Sequence, residues 1–182
     1  MKKGLLAIGL ASILACNTNT NTPIESNSYN YFQLDSYVDD LYQSIHTDSI
    51  HRLLSDDLSK EDSIINRSSF QATIDLVKQL NIGKKAWAGK FDIDTLKQDG
   101  QTRITYTSND QNIQIKSLQV IREKEQEDPV SIKVVKQTNS PISKWTQEVI
   151  IQAPEHTLTI NNELVKVLGK DKQSNIKMVY TW

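Results

Sequence analysis

The side chains able to do chemistry are few: one cysteine, Cys16, three histidines, His46, His51 and His156, and two aspartates two residues apart, Asp92 and Asp94. A catalytic histidine needs a carboxylate to set its tautomer and tune its pKa, and a metal would need a third ligand beside His46 and His51. Nothing in the spacing supplies either, so the three read as solvated or capping side chains. Asp92 and Asp94 fall on one face of a strand beside Lys90, which is the geometry of a carboxylate pair and equally of a solvated face. The solvated face is the expectation, and no catalytic residue, metal ligand or cofactor is assigned. The sequence has no glycine-rich phosphate loop, Gly-x-Ser-x-Gly elbow or His-Glu-x-x-His helix. Because Cys16 stands alone, neither a disulfide within the chain nor a thiolate cluster can form. The remaining chemical resource is aromatic. Trp87, Tyr106 and Trp145 are weighed as the lining of an apolar pocket, against the ordinary role of such rings in a core.

The leader accounts for Cys16. Lys2 and Lys3 precede an apolar run over 4–14 and the small residue Ala15, the layout of a secretory signal. A run of that length falls short of a hydrocarbon core of about 30 Å, so it is no permanent anchor. Ile13-Leu14-Ala15-Cys16 resembles the lipobox of bacterial lipoproteins. The resemblance implies cleavage after residue 15, diacylation of Cys16 and attachment to a membrane through the lipid. Asn17 is not the aspartate that resembles an inner-membrane retention signal, so the expected address is the outer membrane, facing the periplasm. Residues 17–28 are polar and low in complexity, and read as a tether. The chain carries 21 basic and 22 acidic residues, and loss of Lys2 and Lys3 leaves 19 against 22. No basic field remains for nucleic acid.

These side chains must be positioned by a domain over 31–182. Leu34, Val38, Leu41 and Ile45 are spaced for one face of a helix over 32–45. Ile50, Leu53 and Leu54 predict a short second helix over 49–54, and the polar stretch after it predicts a loop. Ser68 and Gln71 have capping-box spacing, with Phe70, Ile74 and Val77 marking a third helix that stops near Gly83. From residue 87 the period changes to two. Trp87, Gly89, Phe91 and Ile93 alternate with polar residues, Asp99-Gly100 makes a hairpin turn, and Thr102, Ile104 and Tyr106 return. Ile113 and Ile115 are out of phase with Leu118 and Val120, which requires an extra residue, a β-bulge near Lys116-Ser117. A charged turn over 122–129 follows, then strands over 130–134, 144–152, 156–160, an Asn161-Asn162 turn, 164–168 and 176–182.

The expected fold is α+β, two or three N-terminal helices packed on a twisted, bulged antiparallel sheet. The order of helix, short helix with Leu53-Leu54-Ser55, third helix ending Leu80-Asn81-Ile82-Gly83-Lys84, DG hairpin and bulged strand resembles the nuclear-transport-factor-two-like family. That resemblance implies a cone-like part over 31–138, with 139–182 as extra C-terminal strands, in a single domain. Asp48-Ser49-Ile50, Asp62-Ser63-Ile64 and Asp94-Thr95-Leu96 each resemble the acceptor of a periplasmic O-glycosylation system, which implies glycans on Ser49, Ser63 and Thr95; helix caps and turns favour the same dipeptides. The functional expectation is a non-enzymatic envelope lipoprotein that binds a small apolar ligand or a periplasmic partner protein. The alternatives are a small enzyme with a pocket Asp or His, and a lipid or lipoprotein carrier built as a half-barrel.

Overall fold

The Asp99-Gly100 dipeptide sets the first register of the sheet. Both residues have positive φ, 52° and 78°, the conformation that matches a two-residue turn to the right-handed twist of its strands. The computed structural model describes residues 30–124, 126–166 and 173–182. The leader, Cys16, the tether and Leu168 lie outside them. The elements in chain order are α1 (Leu34–Ser44), β1 (Ser49–Asp56), β2 (Lys60–Asn66), α2 (Arg67–Lys78), a 3-10 turn (Lys85–Trp87), β3 (Phe91–Gln98), β4 (Gln101–Ser108), β5 (Ile115–Glu123), β6 (Ser131–Ser140), β7 (Ser143–Gln152), β8 (Thr157–Lys166) and β9 (Gln173–Thr181).

All nine strands form one antiparallel sheet in the order β2-β1-β9-β8-β7-β6-β5-β4-β3. The fold is therefore α+β, with most of the chain in the sheet. From β3 to β9 every strand pairs with its sequence neighbour. The chain then closes back on its start, because β1 pairs with β9 through Leu53 opposite Val179 and Leu54 opposite Met178. Strands β7 to β9 are thus no appendage. They are the middle of the sheet and carry the first hairpin on their far side.

Two expectations about the helices are corrected. Among the described residues two α-helices form, the lower of the two numbers expected, with the short helix over 49–54 absent, and they do not stand together before the sheet on a cone: the β1–β2 hairpin separates them. The stretch over 49–54 is strand β1. Its Ile50, Leu53 and Leu54 fit a helical stripe, but Ile50 and Leu54 also fit a two-residue period, and pairing on both sides with β2 and β9 decides the matter. The polar stretch expected as a loop, 55–63, is the β1–β2 hairpin: it ends β1, turns over 57–59 and begins β2. Helix α2 starts earlier than the Ser68 box, at an Asn66 cap two residues upstream whose side chain accepts the Ser69 N–H at 2.8 Å, with the Ser68 hydroxyl donating to the same oxygen.

Both helices lie on one face of the sheet. Leu34 and Val38 of α1 and Phe70, Ile74 and Val77 of α2 are buried in a single core with alternate strand residues, among them Ile50, Leu118, Ile132 and Leu158. Full burial of each such side chain contributes about 1.5–3 kcal/mol. Asn81 is the buried polar link between the helices: its Oδ1 accepts the N–H of Leu34, at the start of α1, and of Gly83, both at 3.1 Å. It caps α1 from a different element, where Gln33 offers no side-chain cap.

The bulge falls where the phase change requires it. Ser117 opposes Val135 and Ile115 opposes Lys136, leaving Lys116 unmatched, so Ile113, Ile115, Leu118 and Val120 are all buried. The Asn161-Asn162 turn does not occur. Strand β8 runs straight through, because Asn161 donates to Glu148 at 3.1 Å and Asn162 accepts from Gln147 at 3.0 Å, both partners on β7. Residues 87–90 are not strand either: Trp87 ends the 3-10 turn and Gly89 takes a positive φ of 74°.

Candidate functional site

The chain leaving α2 turns twice within Gln79–Gly83, through Leu80 N–H to Val77 O and Asn81 N–H to Lys78 O, and then runs into the 3-10 turn that presents Trp87. Opposite it, the β4–β5 connection descends through Asn112 and Gln114 into the bulge. Between these segments lies a groove of about 450 Å³. Trp87 is the partly exposed apolar group on its lining; Leu80, Ile113 and Ile115 lie almost wholly buried behind it, and the open surface is mostly polar, from Gln79, Asn112, Gln114, Lys84 and Lys136. The grooves around the Asp99-Gly100 turn are smaller, with volumes of about 230–370 Å³, and include hairpin residues such as Gln98 and Gln101. A binding site for an organic molecule combines apolar surface with placed polar groups, and the groove beside α2 offers the Trp87 ring among side-chain amides and two ammonium groups.

Its cations are held against aromatic rings. The Lys84 ammonium sits 4.5 Å from the Trp87 ring centre and donates to the carbonyl of Gln79, at the end of α2, at 3.1 Å. The Lys136 ammonium lies 5.5 Å from the ring of Trp145. Lys116, the bulged residue, donates to the carbonyls of Ile113 and Gln111 at 2.6 and 3.1 Å. Lys136 was legible as unusual, since it shares the phase of Ile132 and Val134 and so faces the helices. Neither it nor Lys84 was singled out from the sequence.

The aromatic trio is not brought together as one pocket. Trp87 is half-buried and lines the groove, packed against Phe91 at 6.2 Å between ring centres. Tyr106 is a core residue, 6% exposed, edge-on to Tyr31 at 5.9 Å, and burial pushes its phenol pKa up. Trp145 is half-buried on the helix-bearing face of β7, beyond Lys136.

The titratable candidates are dispersed. His46 is exposed in the loop after α1, and His156 is exposed in the β7–β8 turn, edge-on to Trp182. His51 is half-exposed on the outer face of β1 with Nε2 2.6 Å from Asp62 Oδ1. Among the described residues, no three His, Cys, Asp or Glu side chains gather to hold a metal ion. Asp92 and Asp94 are exposed on β3, and Asp92 accepts a hydrogen bond from Asn109 at 3.1 Å. Of the acceptor-like residues, Ser49 and Thr95 are exposed, whereas Ser63 is half-buried and accepts from Arg52 Nε at 3.2 Å. Among the described residues, no helix is long and apolar enough to cross a membrane. No protein-family model, curated protein or solved structure matches the chain.

Proposed function

We propose that the chain is a non-enzymatic lipoprotein of the cell envelope, acylated at Cys16 and held at the outer membrane facing the periplasm, whose domain binds a small molecule with an apolar body. The observation that carries the binding half is the groove beside α2, with the Trp87 ring on its lining and Leu80, Ile113 and Ile115 behind it. The leader and its resemblance to a lipobox carry the anchoring half. A lipid or lipoprotein carrier is the second reading. What favours it is the open meander: β2 and β3 are free edges, and on the helix-bearing face Trp145, Leu164 and Ile176 are only partly covered. On the same envelope reading, Ser49 and Thr95 are the accessible glycan acceptors, while Ser63 must first release Arg52.

Two experiments test the proposal. In a Gram-negative host the wild type takes up radioactive fatty acid and partitions into detergent, and Cys16→Ser does neither; labelled Cys16→Ser protein ends the anchoring half. A neutral naphthalene amide quenches or shifts tryptophan emission in the wild type and much less in Trp87→Phe. An unchanged response in Trp87→Phe removes the groove as the site.

A further inference from the structure

We infer that the ligand of this groove is an anion, a carboxylate on an aromatic or branched aliphatic body, held through the Lys136 ammonium with Lys84 beside it. The inference rests on the binding reading above and specifies its chemistry.

Most of the ion pairs elsewhere show what a lysine of this protein does when a carboxylate is near. Lys78 meets Asp39, Lys90 meets Asp110 at 3.0 Å, and Lys133 meets Glu148. At the groove the pattern stops. The described lining includes two lysines and no aspartate or glutamate. Lys84 answers a neutral carbonyl, that of Gln79, and the partial negative charge at the end of α2. Lys136 has no ion pair among the described residues and rests near the Trp145 ring instead. Its position is also the costly one. It shares a strand face with Ile132 and Val134, which are buried, and opposes Ile115, which is buried too.

An ammonium on an apolar face is incompletely hydrated, so an arriving anion replaces a weak aromatic contact with a charge-assisted hydrogen bond. Lys116 adds positive charge at the bulge next to Ile115. The Trp87 ring then decides the rest of the ligand. Inorganic phosphate or sulfate would leave the partly exposed Trp87 ring uncovered, whereas a carboxylate carrying an aromatic or branched body covers it and reaches the ammonium. The side-chain amides of Gln79, Asn112 and Gln114 on the same lining can donate to its oxygens.

The test compares 2-naphthoate with its neutral isostere 2-naphthamide by isothermal titration, using the chain as its host makes it, held in neutral phosphatidylcholine nanodiscs. The wild type binds naphthoate at least about tenfold more tightly than naphthamide. Lys136→Gln abolishes that preference while retaining naphthamide binding, and Lys84→Gln reduces it. Salt supplies a second readout that needs no variant: near 1 M, where the Debye length is about 3 Å, naphthoate affinity falls and naphthamide affinity does not. Equal, salt-independent affinity for the two probes overturns the anion inference and leaves the groove reading standing. Failure of both probes to bind overturns both.

Discussion

The hydroxyl of Tyr31 closes the start of edge strand β3: it receives the amide of Phe91 at 3.3 Å and donates to the Phe91 carbonyl at 3.4 Å. Both backbone groups of Phe91 therefore point away from β4, toward the free edge of the sheet. The Tyr31 ring meanwhile packs edge-on against Phe91 and Tyr106, at 5.6 and 5.9 Å between centres. One side chain thus ties the entry of the chain into the domain to the last strand of the sheet, beside the 3-10 turn that carries Trp87.

Tyr31→Phe keeps the ring and removes the hydroxyl. Loss of a buried hydrogen bond of this kind costs about 0.5–1.5 kcal/mol. The denaturant midpoint falls accordingly, and hydrogen exchange at the Phe91 amide accelerates more than exchange in the middle of β7. Unchanged protection of Phe91 contradicts the capping role.

Phe91 and Asp92 are neighbours on opposite faces. Phe91 is 4% exposed and Asp92 is exposed. Phe91→Ala is expected to destabilise the domain by about 3–5 kcal/mol, much of an ordinary domain's margin, and Asp92→Ala to stay within about 0.5 kcal/mol. Equilibrium denaturation measures both. Comparable losses would make Asp92 a buried carboxylate and reverse the faces of β3.

Glu148 predicts an acid dependence. Its bond from the Lys133 ammonium, chiefly, and one from Asn161 outweigh partial burial and hold its carboxyl below the ordinary glutamate range. A lowered folded-state pKa stabilises the fold fully above the unfolded value, and that contribution disappears as pH falls through the folded value. The stability difference between wild type and Glu148→Gln is therefore largest near neutrality and closes on acidification. A difference that stays constant from neutral to acidic pH contradicts the pairing.

The sequence was most legible where local geometry is obligatory. Asp99-Gly100 can take positive φ at two successive positions, and the phase slip between Ile115 and Leu118 admits only an extra residue, so the turn and the bulge followed from a few residues each. It was least legible where a partner distant in the chain decides. Ile50, Leu53 and Leu54 suit either period until β9 is beside them, and Asn161-Asn162 reads as a turn until Gln147 and Glu148 lie across the ladder. The same reason hid the cone's failure: nothing within 31–138 reveals that β1 will pair with β9. At the groove, Trp87 was legible as a ring for a pocket or a core, but the lining combines residues 80, 87, 113 and 115, and no single stretch displays that juxtaposition. Lys136 was visible only as a charge in an apolar phase.

The most direct test of the account is methyl NMR of isoleucine-labelled protein titrated with the naphthalene probes. Ile113 and Ile115 line the groove, whereas Ile50, equally buried, sits on β1 across the sheet. The account predicts saturable shifts at Ile113 and Ile115 with Ile50 unmoved. Shifts confined to Ile50 and its neighbours, or no saturable shift anywhere, would contradict a binding site beside α2.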